Sequence, residues 1–459
     1  MELEITPAQA LRRQLWHKIT VATLDGSLPD QIEKIAAETT DFWFRSLKRP
    51  YNAQSMAHSL IRCTLGLNPK TDGETLAQAA KRAWHLRVPE GPTMVAVPGA
   101  CSPCDDIECA AELACETGAF ENTEHGPRIN DERCLNCGFC VGACRAAAVS
   151  DKAEIVQVAR LLLDREQEVA AVVAPAFAGQ FGPGIFGKQI SAALKAFGFD
   201  RVVEVALGAD VITIKEAEEY ICRRERGDPF MITSCCCPPF IRLVQKFRPR
   251  LAHLVSDSVS PMIAIGRLLK AENPELKVVF IGPCIAKKSE ARQKELAGAV
   301  DFVLTFEETA AMLQAGAIDI APQIENPDLK DASHDGRIYG RIGGVSTAIV
   351  RSINTLAPNL EVRIQRGNGI KDCSQLLKLA EQGLLDATFI EGMACLGGCV
   401  GGPGKLIHPE IGKTHVNKFA DRSPIREAVR NLRARRLYTR YGQVVELHSV
   451  KLPDPSPSP

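Results

Sequence analysis

Three adjacent thiols constrain this chain more than any other feature. Cys235, Cys236 and Cys237 stand in Met231-Ile-Thr-Ser-Cys-Cys-Cys-Pro-Pro-Phe240, backed by two prolines. One small buried cysteine is an ordinary core residue, but three in a row cannot all point the same way into a core. Two later stretches carry thiols in a similar setting, Gly282-Pro-Cys-Ile-Ala-Lys-Lys-Ser-Glu290 and Glu391-Gly-Met-Ala-Cys-Leu-Gly-Gly-Cys399. Each follows an apolar run that reads as a strand: Phe230–Thr233, Lys277–Ile281 and Leu385–Glu391. The three segments, far apart in sequence, are expected to meet around one iron–sulfur cofactor.

The chain has 17 cysteines in 459 residues. Its start, Met1-Glu-Leu-Glu-Ile-Thr6, lacks the basic region and apolar run of a secretory signal. A cytoplasmic, reducing setting is therefore expected, where clustered cysteines mean metal more often than disulfides. Lys plus Arg and Asp plus Glu balance at 55 each, which gives no pull toward nucleic acid or an anionic bilayer. No apolar stretch is long enough for membrane insertion.

A second cysteine pattern precedes the first. Cys134-Leu-Asn-Cys137-Gly-Phe-Cys140-Val-Gly-Ala-Cys144 has the C-x2-C-x2-C-x3-C spacing of a bacterial ferredoxin loop. Three thiolates of such a loop wrap one 4Fe–4S cube while the fourth reaches another. A zinc site would more often use two C-x2-C pairs or histidines. Upstream, Cys101, Cys104, Cys109 and Cys115 are more widely spaced. Cys115-Glu-Thr-Gly-Ala-Phe120 is echoed by Cys144-Arg-Ala-Ala-Ala-Val149, which suggests an internal duplication. Two cubes with crossed fourth ligands follow. One takes Cys101, Cys104, Cys109 and Cys144, and the other takes Cys134, Cys137, Cys140 and Cys115.

The expected organisation is a helical region over 1–95, a ferredoxin-like two-cluster domain over 96–151, an α/β catalytic domain over 152–420, and a basic helix with a disordered tail over 421–459. In the third part, strand-like Val169–Ala174, helical Gly187–Phe197 and strand-like Arg201–Ala206 alternate as in a parallel sheet. Ligands usually sit at the C-terminal ends of such strands. Ile214–Arg226 reads as a helix stopped by Gly227, with Glu216, Glu219 and Arg223 on one face. From the residues alone, that face reads as a solvated salt-bridged surface. Lys287, three residues beyond Cys284, reads alone as a surface lysine or as a binder of an anionic ligand. Cys63, Cys222 and Cys373 fit no metal spacing, and Cys63 and Cys222 read as structural.

The three cysteine segments, in this order, resemble the signature motifs of the iron-only (FeFe) hydrogenases, and the similarity runs over about residues 100–420. That resemblance implies a two-lobed α/β domain around an H-cluster, a 4Fe–4S cube joined to a diiron unit with CO, cyanide and a dithiolate. It implies Cys237, Cys284, Cys395 and Cys399 as cube ligands, with Cys399 bridging to the diiron unit, and Cys236 as the thiol proton donor. Lys287 resembles the lysine that bonds a cyanide; Pro175, Ala176 and Met393 resemble the lining of the diiron unit. Glu216, Glu219 and Ser256 match a proton path, with Arg223 near its outer end. Implied partners are a ferredoxin or similar soluble carrier and the H-cluster maturation proteins. The implied activity is reversible reduction of protons to hydrogen. A sensory, low-activity H-cluster protein and a non-catalytic hydrogenase-like iron–sulfur protein are the alternatives. The chain departs from the common pattern at three places. A third cysteine resembles a subgroup of the family and admits a register in which Cys235 is the donor and Cys236 the ligand. Gly282 stands where methionine is usual and is expected to remove bulk, and Ala176 replaces a frequent serine.

Overall fold

The computed structural model describes residues 5–46, 53–70, 73–98, 101, 108–123, 126–233, 235–320, 329–442 and 446–447. The chain opens on four helices, Pro7–Leu24, Leu28–Ser46, Ala53–Thr64 and Leu76–His85. Thr6 and Thr75 start the first and last of them as capping boxes with Gln9 and Gln78. Among the described residues, eleven strands follow in chain order. They are β1 (Met94–Ala96), β2 (Phe120–Thr123), β3 (Gly126–Ile129), β4 (Val149–Asp151), β5 (Val169–Val173), β6 (Arg201–Glu204), β7 (Met231–Ile232), β8 (Lys277–Gly282), β9 (Phe302–Thr305), β10 (Ile364–Asn368) and β11 (Phe389–Met393).

Two parallel sheets carry the larger part of the molecule. One has the order β6-β5-β8-β9 and the other β10-β11-β7. Every residue of β5, β9 and β11 is buried. Strands covered on both faces read as near-continuous apolar runs, as Val169-Ala-Ala-Val-Val173 does. The smaller part is antiparallel: β1 pairs with β4, and β2 with β3.

The expected helices are present, with one instructive shift. Arg201–Ala206 reads as one apolar strand, but β6 stops at Glu204 and the helix Val205–Glu225 begins at once. Its first half packs in the core on all sides, so no polar face marks its start. The expected solvated face on this helix is also corrected. Glu216 and Arg223 are buried, and Arg223 donates to Glu219 at 2.8 Å and to the carbonyls of His253 and Val255. Cys63 is buried as expected and Cys373 is buried too, whereas Cys222, expected to be structural, is exposed. The expected disordered tail lies outside the described residues.

One buried cation joins the two parts. Lys288 donates to Asp151 Oδ2 at 2.7 Å, to the Lys152 carbonyl at 2.9 Å and to Glu308 Oε1 at 2.6 Å. Burial works against its charge, yet the two carboxylates outweigh that and raise its pKa. Asp151 ends β4, and Lys288 lies four residues past Cys284. Removing one member of such a group leaves unpaired buried charge. Lys288→Met should cost about 3–5 kcal/mol in denaturant unfolding; a loss below about 1 kcal/mol would show that the group is not paired as described.

Candidate functional site

Four parallel strand ends converge on one place. After β5 comes Pro175; after β7 come Thr233 and the three cysteines; after β8 comes Cys284; after β11 come Cys395 and Cys399. Cys237 caps the helix Pro238–Phe247, whose two leading prolines need no N–H partner there. At Gly392, only glycine fits: a Cβ would lie 2.1 Å from the Phe240 ring. Gly398 (φ 93°) turns the loop so closely onto Ile342 that a Cβ would sit 2.4 Å from its nitrogen.

These ends enclose a small chamber of about 70 Å³. Cys236, Cys237, Cys284, Cys395 and Cys399 line it, with Lys287, Met393 and Pro175. Ala176 is buried just behind, its backbone against Gly340. Gly282 does not leave the expected space. The Phe280 ring lies where its side chain would point, 2.5 Å from a Cβ built there, and Phe280 itself lines the chamber.

Burial raises the pKa of every thiol here, to about 11 for Cys237 and about 12 for Cys399, and well above the usual value for Cys236 and Cys395. Such a set becomes thiolate only beside concentrated positive charge, which bound metal supplies. The Ala394 N–H points at Cys237 Sγ at 3.4 Å. Among the described residues, no three His, Cys, Asp or Glu side chains converge closely enough to share one ion. The thiols line a space and do not meet at a point. A donor set made of several thiols fits an iron–sulfur cube. Lys287 sits at the chamber wall, bonded to Glu290 at 2.6 Å. Burial opposes its charge, but Glu290, Cys284 and Cys236 together lift its pKa.

The three adjacent thiols divide in space. Cys236 and Cys237 face the chamber. Cys235 turns the other way and donates to the Val259 carbonyl at 3.3 Å, beside Glu216. From there a polar line leads outward. Glu216 accepts from Thr233 Oγ1 at 2.6 Å, and its other oxygen is buried without a close partner, with Ser256 and Cys235 nearby. Ser256 Oγ donates to Glu219 Oε2 at 2.8 Å. Thr233 was not anticipated, although it ends the strand before the thiols. Tyr339 was also missed. It lines the chamber and shares a 2.7 Å hydrogen bond with Thr213, and its only signal was the surrounding glycine-rich stretch.

The second thiol group also gathers. Cys115, Cys134, Cys137 and Cys140 line one small cavity, the grouping expected for the second cube. Cys137 additionally reaches the main chamber. The two echoed segments match in detail: Cys115 Sγ accepts from Ala119 N and Cys144 Sγ from Ala148 N, both at 3.2 Å, and a strand follows each. Of the first expected cube, Cys109 caps the helix Ala110–Leu113 and Cys101 bonds Asn122, while Cys104 lies outside the described residues.

The site thus belongs to a class of α/β proteins that hold an iron–sulfur group at converging parallel strand ends. The chain belongs to the family described as iron only hydrogenase large subunit, C-terminal domain, which matches residues 167–403. It is 30% identical to iron hydrogenase 1 of Clostridium pasteurianum over 308 residues, covering 56% of this chain and 54% of that protein. The chain therefore spans about half the length of that relative. It is 27% identical over 199 residues to the cytosolic Fe-S cluster assembly factor NAR1 of Eremothecium gossypii, covering 42% of this chain and 44% of that one. A solved FeFe-hydrogenase variant from Chlamydomonas reinhardtii superposes with a TM-score of 0.54 at 22% identity, covering 65% of this chain and 99% of that one. That match speaks to fold. No helix among the described residues is long and apolar enough to cross a membrane.

Glu216 gives a test of this electrostatic account. Burial raises its pKa, with Glu219 adding to the effect against the hydrogen bonds that lower it. A raised folded value means stability that is present below the unfolded pKa and lost as pH rises toward the folded one. Glu216→Gln cannot ionise. Its stability relative to wild type should therefore be higher at about pH 8 than at about pH 5 in denaturant titrations. An identical difference at both would contradict a raised pKa.

Proposed function

We propose that this protein is an FeFe hydrogenase of the subgroup with three consecutive cysteines, interconverting two protons and two electrons with molecular hydrogen. The observation that carries the proposal is the single chamber lined by Cys236, Cys237, Cys284, Cys395, Cys399, Lys287 and Met393, with a polar line leading from its wall to the surface.

Cys237, Cys284, Cys395 and Cys399 would hold the H-cluster, with Cys399 the bridging ligand. When bound, that group supplies the iron centre at which electrons and protons combine. The protein's part is binding, orientation and delivery. Lys287 offers fixed positive charge and N–H donors to an anionic ligand. Met393, Pro175 and Phe280 keep the wall apolar and exclude water. Glu219 takes a proton at the surface and passes it to Ser256 Oγ, which it already bonds. Glu216, kept protonated more readily by burial, carries it inward to the thiols. Cys236 presents it to the chamber. Cys235 lies between Glu216 and Cys236 and has no separate assigned role in this scheme.

Residues 96–151 are proposed as a ferredoxin-like domain with two 4Fe–4S cubes, fed by a ferredoxin or similar soluble carrier. The joining of Cys137 to both cavities supports that route. The helical region over 1–95 and the segment from 421 are assigned no chemistry, and maturation proteins are needed to install the diiron unit. The resemblance to an Fe-S assembly factor over 199 residues favours one rival, an iron–sulfur protein without catalysis. That rival leaves Lys287 and the Glu219–Ser256–Glu216 line without a task.

After maturation, infrared spectra should show bound CO and cyanide bands, and hydrogen should form from a reduced dye. A cube-replete protein without those bands would be the assembly-type protein instead. Cys236→Ala should lower turnover at least about a hundredfold, the usual scale for a positioned acid–base group, with the bands retained. If Cys235→Ala does this and Cys236→Ala strips the bands, the donor is Cys235 and the ligand Cys236.

A further inference from the structure

The helix Pro238–Phe247 begins at the chamber, where Cys237 caps it. It runs from there to the cysteine loop around 134–140. Two cations one turn apart on it grip that loop by its carbonyls. Lys246 Nζ donates to the carbonyls of Asp131 at 2.6 Å and Cys134 at 2.9 Å. Arg242 Nη1 donates to the Leu135 carbonyl at 3.2 Å and to Ser289 Oγ at 2.8 Å. Ser289 belongs to the segment after Cys284, and its hydroxyl donates in turn to the Ala286 carbonyl.

The half-buried guanidinium of Arg242 thus stands between two thiol groups. It faces the Glu290 carboxylate and the thiols of Cys134 and Cys284, which are negative only as thiolates. Glu290 is already bonded to Lys287, and among the described residues no carboxylate lies within ion-pair distance of Arg242. An ordinary ion pair therefore does not explain its position. Leu135 packs in the same apolar cluster as Phe240 and Leu243 of this helix, so the loop is seated on the helix as well as bonded to it.

We propose that Arg242, with Lys246 one turn on, is the positioning and charge-compensating link between the two cluster sites. It fixes the loop against the chamber and favours the reduced state of the cube held by Cys115, Cys134, Cys137 and Cys140. The inference rests on the two-cluster reading above. In the step concerned, one electron leaves that cube, which is oxidised, and enters the group held by Cys237, Cys284, Cys395 and Cys399, which is reduced. The soluble carrier replaces the electron, and no bond or proton moves. Each added electron is one more negative charge. A guanidinium keeps its positive charge at any working pH, and a half-buried one is poorly screened.

The test is a redox titration of the full-length holoprotein followed by electron paramagnetic resonance. Arg242→Gln should keep the cube signal. At the wild-type midpoint, its ratio of reduced to oxidised cube should fall about tenfold, a shift of about 59 mV for one electron. Arg242→Lys should recover most of that. Lys246→Gln, at an exposed position, should lower the ratio about threefold. If Arg242→Gln does not fold, Lys246→Gln decides alone. An unmoved midpoint with the cube signal present overturns the role of the two cations. A wild-type holoprotein with no reducible cube signal overturns the two-cluster reading beneath it, and the proposal with it.

Discussion

A buried thiol holds its proton, and this chamber collects five of them besides Cys137. Left to themselves, Cys236, Cys237, Cys284, Cys395 and Cys399 would all stay neutral, because burial penalises each thiolate and each thiolate penalises its neighbours. Positive charge on bound metal reverses that balance, and the protein supplies little of its own beyond Lys287. The arrangement thus suits a container for a metal group. Much of the surrounding architecture serves to bring these groups together without letting water in.

Parallel strands make this possible. Their ends release backbone at one edge, where a turn can present a thiol and a helix start can follow it. β7 and the helix Pro238–Phe247 do this for Cys237, and β8 does it for Cys284. The price of such close convergence is backbone that tolerates no side chain, as at Gly392 against Phe240 and Gly398 against Ile342. The same helix that follows Cys237 then extends away from the chamber and holds the cysteine loop around 134–140 through Arg242 and Lys246. Lys288 fixes the other side of the same junction through Asp151 and Glu308. The two thiol groups are therefore joined by one short set of contacts.

Much of this was legible in the residues. The start of the helix Pro238–Phe247 is marked by its prolines, and the grouping of Cys115 with Cys134, Cys137 and Cys140 follows from the spacing and the echoed segments. Other features had no local signal. Val205-Ala206 continues an apolar run, so the switch from β6 to helix is decided by packing on every side. Glu216, Glu219 and Arg223 form an ordinary charged face on paper, and only the neighbouring β7 and the segment around Ser256 bury it. The division of the three thiols, with Cys235 turned toward Glu216, depends on the turn after β7. The filling of the space at Gly282 by Phe280 depends on where one ring points. Spacing shows which residues belong together, but it carries no direction.

The central claim is that the four thiols of Cys237, Cys284, Cys395 and Cys399 hold a cube with a further diiron unit before Lys287 and Cys236. Crystals of the matured protein, with anomalous maps on both sides of the iron edge, test it directly. The account predicts a cube bound by those four residues and two further iron atoms beside Cys399. A cube alone in the matured protein, with the space before Lys287 and Cys236 filled by water or side chains, would contradict it.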